Sequence, residues 1–190
     1  TTNATGDAIR VQTNGGAILD NGDAATDIAA TVAGAVVTLN ATAGVGDGNA
    51  IETDVRELFV INDVGSSAST VGAVRIQETD DLLVHSLRQD ASAPVVLVAG
   101  GSIDLREIRA PGLVDLTASS GSISNPDDLA GAALFAGSTR LNAAQAINLD
   151  TQVGELTFVR AAAGGILLSN TGAVSVGTIE QRTAVNSTAG

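Results

Sequence analysis

The chain contains no cysteine, methionine, tryptophan, tyrosine or lysine. Without cysteine it can form neither a disulfide nor a thiolate metal site. Three phenylalanines and one histidine are the only aromatic rings among its 190 residues. A core built around large buried aromatics, as in many β-sandwiches, is therefore excluded. All nine basic residues are arginine, set against 21 acids, for a formal net charge of −12. That charge gains nothing from a polyanion, which argues against a nucleic-acid or anionic-membrane partner. No run of 18 apolar residues occurs, so no membrane span is expected. TTNATGDAIR at the start has neither an initiator Met nor a signal-peptide pattern. With Thr/Asn/Gly/Ala-rich text at both termini, the chain reads as a processed piece or as a segment of something longer.

What is present is narrow in kind. Hydrophobic residues make up 44% of the chain, nearly all of them Ala, Val, Ile and Leu, and there are 22 glycines. Many similar small side chains suit a repetitive fold in which each layer buries the same modest residue on the layer below.

The text repeats. IRVQTNGGAILDNGD (9–23) matches VDLTASSGSISNPDD (114–128), with Val11 on Leu116, Gly16 on Gly121 and Ile18 on Ile123. VTLNATAG (37–44) matches TRLNAAQA (139–146), and TDVRELFV (53–60) matches TQVGELTF (151–158). GAVRIQETDDLLVHSL (72–87) then pairs with GGILLSNTGAVSVGTI (164–179). The order is the same in both halves, and the length differences fall between the matching pieces, as strands separated by loops require. The expected organisation is a single segment over 1–190, with internal repeats at about 9–87 and 114–179 and a linking coil at 88–113.

Short runs alternate with period two, as at Val74/Ile76, Ile103/Leu105 and Val174/Val176, and Gly, Asn, Asp and Ser break them. Internal glycines argue for strand or coil, not helix, in the Ala-rich ATDIAATVAGA and DDLAGAALFAG. Few turns read as two-residue hairpins, and strand-turn units recur every ~20–25 residues. These features predict an all-β fold, a parallel β-helix or β-solenoid of about eight coils without substantial helix, roughly 40 Å long at ~4.8 Å per coil. Its ends would be open strand edges, which favours continuation with further repeats or self-association.

The pattern T-x-V-x-x-L, G-(A/G)-(I/V)-x-(I/L), then (L/V)-x-V-x-x-(L/I) resembles the repeats of filamentous-haemagglutinin-like and related β-strand-repeat bacterial surface adhesins. Thr53, Val55, Leu58, Gly72, Val74, Ile76, Leu82, Val84 and Leu87 carry it, and in the second copy Thr151, Val153, Leu156, Gly164, Ile166, Leu168, Val174, Val176 and Ile179. The resemblance implies a right-handed β-helix, exported to the cell surface or beyond, that acts as a stalk or fibre. It implies no catalytic residue and no cofactor.

GAVRIQETDDLLVHSL also holds the only histidine, His85, close to Glu78, Asp80 and Asp81. The matching piece has Asn170, Gly172, Ala173 and Gly177 at those positions, so the acids read as a solvated turn and His85 as a residue that points out or lies at a bend, not as a catalytic cluster. Calcium is the chemical alternative, because hard cations take several carboxylate and turn-carbonyl oxygens. Asp20, Asp23, Asp47, Asp80, Asp81, Asp127 and Asp128 are the candidate ligands, although none has EF-hand or nonapeptide β-roll spacing. A carbohydrate-active β-helix enzyme would need clustered carboxylates in a groove with a basic residue or calcium. With no lysine and one histidine, that reading ranks below a structural one. The expectation is a non-enzymatic segment of an extracellular fibre or adhesin, and the alternative a module gripping a host or matrix glycan or a protein through the loops 44–50 and 63–71.

Overall fold

The computed structural model describes residues 6–63, 72–125 and 131–181. Among them are fifteen strands and no helix, and hence no helix long and apolar enough to cross a membrane. The strands join one sheet in which every pairing is parallel and each strand lies against the strand one coil away. The Ala-rich stretches are not helical: the first contains the strand Ile28–Ala30, and the described part of the second leads into Leu134–Ala143. The architecture is a β-solenoid of about seven turns.

Inward side chains stack in columns that run through all the described coils. One column reads Ile18, Val45, Val74, Val95, Val114, Thr139, Leu156, Val176. A second reads Val11, Leu39, Val60, Leu87, Ile108, Leu134, Thr151, Asn170. Eight members in each column enclose seven turns. The turn length varies from 17 residues (139 to 156) to 29 (45 to 74), and the loops absorb the difference. At about 4.8 Å per coil the stack is roughly 35 Å long.

The strands form where they do because period-two alternation gives each one apolar face for the interior. Strands Ala35–Ala41 and Val95–Ala99 bury every second residue, and Val74, Ile76, Leu82, Val84 and Leu87 are all nearly fully buried, as the alternation predicts. The corners need glycine. Gly46 has a φ of +66°, and a Cβ there would lie 2.3 Å from the Arg75 carbonyl oxygen of the next coil, so only Gly fits.

A third column places Thr53 and Glu78 inside: it reads Ile28, Thr53, Glu78, then Ala99, Ala118, Ala143 and Ala161, with the exposed Gln181 in register beyond them. Interior polar groups are tolerated because they are hydrogen-bonded. At another corner the buried Asn62 donates to Gln89 Oε1 at 2.6 Å and accepts from Gly44 N–H at 2.9 Å. Gln89 in turn donates to the Gly72 and Ala93 carbonyls.

The pieces that match in sequence do not stack on one another. Ile166 lies in line with Leu82 through Ile103, Ile123 and Ile147, not in line with Val74. Val176 falls in the Val74 column, and Ile179 in the column of Ile76, Leu97, Leu116, Leu141 and Val159. The sequence likeness is thus a likeness of strand-and-corner motif. The same motif occupies different sides of the coil in the two halves.

Candidate functional site

The acids of GAVRIQETDDLLVHSL separate in space. Glu78 is not in a solvated turn: it ends the strand Val74–Glu78, points inward and is 2% exposed. Its carboxylate accepts from the Thr53 hydroxyl at 2.6 Å, from Val55 N–H at 3.0 and 3.1 Å, and from Thr79 N–H at 2.9 Å. Burial pushes its pKa above the ordinary glutamate value, and the bonds from Thr53 and Val55 only partly offset this. Asn170 does the same work in the second half, its Oδ1 accepting from the Thr151 hydroxyl and from Val153 N–H, both at 2.9 Å. Each T-x-V thus meets a polar side chain from the next coil, which holds the corner closed. Asp80 and Asp81 are exposed, and Asp81 Oδ1 accepts from Ser102 N–H across one coil.

His85 points outward as alternation from Val84 predicts, but it is only partly exposed and lies in the strand Leu82–Gln89, not in open solvent. The register jumps here: Leu58 faces Val84 while Phe59 faces Ser86, so His85 is the extra residue of a bulge. Its ring stacks on Phe59 with centroids 4.8 Å apart and planes 5° from parallel. Arg106 Nη1 lies 2.9 Å from Nδ1, and Glu57 Oε2 lies 2.6 Å from Nε2. A guanidinium can only donate, so Nδ1 accepts and Nε2–H donates to Glu57. Both ring nitrogens are thereby engaged by neighbouring coils. That geometry ties three coils together.

The candidate calcium ligands are dispersed. Asp23 Oδ1 accepts from Ala25 N–H within its own turn, and Asp47 Oδ1 accepts from Ala73 N–H of the next coil. Asp127 and Asp128 lie outside the described residues. Asp80 joins Asp54 and Glu78, with one carboxylate oxygen from each lying within 4.8 Å of the others. Asp20 joins Asp27 and Glu52 in the same way. Asp27, Glu52 and Asp54 were not singled out in the sequence. Asp20 and Glu52 are 32 residues apart, and only the coil register brings them together; of the three, Asp27 alone lay close enough in sequence to Asp20 to be noticed.

Loop 44–50 is partly a rung of the solenoid. Val45 is fully buried in its column, and only residues 47–49 are exposed. Residues 64–71 of the second predicted binding loop lie outside the described residues. A feature that the sequence does not signal is a groove of about 760 Å³ along one face. Among the residues lining it is an outward column, Arg88, Arg109, Phe135, Gln152, from four successive coils. The Arg109 guanidinium lies over the Phe135 ring, 3.8 Å from its centroid, and bonds Glu107 at 2.7 Å, while Arg88 bonds Asp90 at 2.6 Å.

A family described as repeats of unknown function (DUF5649) matches residues 92–159. No curated protein and no solved structure matches the chain.

Proposed function

We propose that this chain is a structural segment of a secreted or cell-surface bacterial fibre or adhesin, with work that is mechanical and not catalytic. The observation that carries the reading is the unbroken run of eight-member inward columns, with parallel backbone pairing on every coil. Such a stack resists bending, because any bend must open hydrogen bonds on one side and compress side chains on the other. Among the described residues, the strands Ile166–Asn170 and Ser175–Gln181 pair with Ile147–Ala161 alone, and Leu167, Val176 and Ile179 are exposed there. Further coils in the same register would find donors, acceptors and apolar residues at that end. The acidic surface keeps such rods apart. Antibody labelling of this segment on intact cells, viewed by electron microscopy, tests the role. Label at a fixed height on surface projections supports it; label confined to a dispersed soluble fraction overturns it.

A second reading rests on the groove. Arg88, Asp90, Glu107, Arg109 and Gln152 offer donors and acceptors at coil spacing along one face, as binding to a neutral glycan would require. Its two arginines are matched by two acids, so the groove has no excess charge for an anionic chain. A glycan array read with the purified segment and with Arg109→Ala tests this. Binding by the segment that the substitution abolishes supports the reading, and an array with no binding ends it.

A further inference from the structure

Asn14–Gly15 and Asn21–Gly22 are the chain's two Asn-Gly pairs, and both lie between the strands Gly6–Gln12 and Ile28–Ala30 of the first described coil. Their surroundings are nearly matched. All four residues are exposed, Gly15 and Gly22 have φ values of +93° and +94°, and a Cβ on either glycine would meet nothing within 4 Å. Each asparagine Oδ1 accepts one bond at 3.1 Å, from the Gln12 amide in the first pair and from Asp23 N–H in the second. The backbone nitrogens differ. Gly22 N–H donates to Asp20 Oδ2 at 2.6 Å, and the same carboxylate oxygen accepts from the Asn49 amide of the next coil. Gly15 N–H meets no acceptor among the described residues.

We infer that Asn14 is a site of spontaneous deamidation, and that the bond from Gly22 N–H to Asp20 protects Asn21 from the same fate. The reaction begins when the backbone nitrogen after the asparagine gives its proton to hydroxide and attacks Cγ. A new N–Cγ bond closes a succinimide ring, the Cγ–Nδ2 bond breaks, and Nδ2 leaves as ammonia with a proton from water. Water then opens the ring at either carbonyl, leaving an aspartyl or an isoaspartyl residue. Glycine favours the attack because it has no Cβ to obstruct it. At Gly22 the proton is held by a carboxylate, which is far too weak a base to remove it. The amide anion would also have to form against that negative charge. Neither obstacle exists at Gly15. The product bears on the fold, because the Gly16 carbonyl lies two positions on. It accepts from Thr42 N–H at 3.0 Å, from Ala43 N–H at 3.1 Å and from the Thr42 hydroxyl at 3.4 Å, all in the next coil. An isoaspartyl residue lengthens the backbone just ahead of that carbonyl, so ageing loosens the first described coil from the second.

Tryptic cleavage after Arg10 and Arg56 puts both asparagines in one peptide. Mass spectrometry with electron-transfer fragmentation, which separates aspartyl from isoaspartyl products, then reads both rates in one sample. The folded chain, held in warm, mildly alkaline buffer, should convert Asn14 about tenfold faster than Asn21, the rate equivalent of one charge-assisted hydrogen bond. In urea strong enough to unfold the chain, the two rates should become alike. Asp20→Ala should raise the Asn21 rate toward that of Asn14 and leave Asn14 unchanged. If that variant fails to fold, Asp20→Asn takes its place, and its weaker neutral bond should give an intermediate rate at Asn21. Chains enriched in isoaspartate at position 14 should melt at a lower temperature than fresh ones. Equal rates in the folded wild type overturn the inference, as does an Asn14 that persists in the folded chain while converting in urea. An Asn21 that stays slow in the folded Asp20 variant overturns the protective role of the Gly22 bond, and an unchanged melting temperature overturns the loosening of the first coil.

Discussion

Glu78 shows how a charged residue can belong to a solenoid interior. Alternation from Val74 and Ile76 runs on to position 78, so the period alone places the side chain inward; its charge argued for a turn. The hydroxyl of Thr53, which makes burial tolerable, lies 25 residues away in sequence and is adjacent only once the coils are in register. Glu78→Ala should lower stability by about 2–4 kcal/mol in urea denaturation, because Val55 N–H and Thr79 N–H lose their acceptor. Asn170→Ala should cost less, about 1 kcal/mol, because Asn170 is only partly buried. The raised pKa of Glu78 also sets a pH dependence. A carboxyl that holds its proton more tightly folded than unfolded adds stability below its unfolded pKa and loses it as pH rises through the folded value. Melting temperature should therefore fall as pH climbs from the ordinary glutamate range through the raised value. In Glu78→Gln that part of the slope should disappear; an unchanged slope would place its origin elsewhere, with Glu52 the next group to substitute.

Strands and corners divide the work between them. A strand contributes one inward residue in two, so Leu97→Ala, fully buried, should cost about 2–5 kcal/mol. Leu167→Ala, at 66% exposure on a terminal strand, should stay within about 0.5 kcal/mol of the wild type. Corners are governed by backbone instead. Gly46→Ala combines a positive φ with a 2.3 Å approach to a carbonyl and should cost about 2 kcal/mol or more, while Gly48→Ala, at φ +96° with open space around it, should cost about 1 kcal/mol. Equal losses in parallel denaturation curves would remove the close approach from the account. The strands themselves were legible in the sequence, since Val, Ile and Leu at period two between Gly and Asn clusters have few other readings. The bulge at His85 left a trace as well: the inward series Leu82, Val84, Leu87 breaks step by one residue. Its consequence, a ring clamped between Glu57 and Arg106, was not legible, because both partners come from other coils.

Taken as one body, the molecule is a stack whose cross-section repeats while its sequence phase does not. The parallel solenoid, the lack of helix and a coil count close to the seven turns seen all follow from composition, punctuation and period. The side of the coil on which each matching piece falls does not follow, because turn lengths of 17 to 29 residues let the same strand-and-corner motif drift around the axis. The Asp20–Asp27–Glu52 group and the Arg109–Phe135 groove were hidden for the same reason: each is assembled across coils. A rod built this way should carry its register through neighbouring coils and show it as an axial period. Electron cryomicroscopy of the native full-length protein tests that most directly. The account predicts a rod of continuous density through this segment with layers about 4.8 Å apart along its axis. A segment seen as an isolated globular body, with strands in no common axial register, would contradict it.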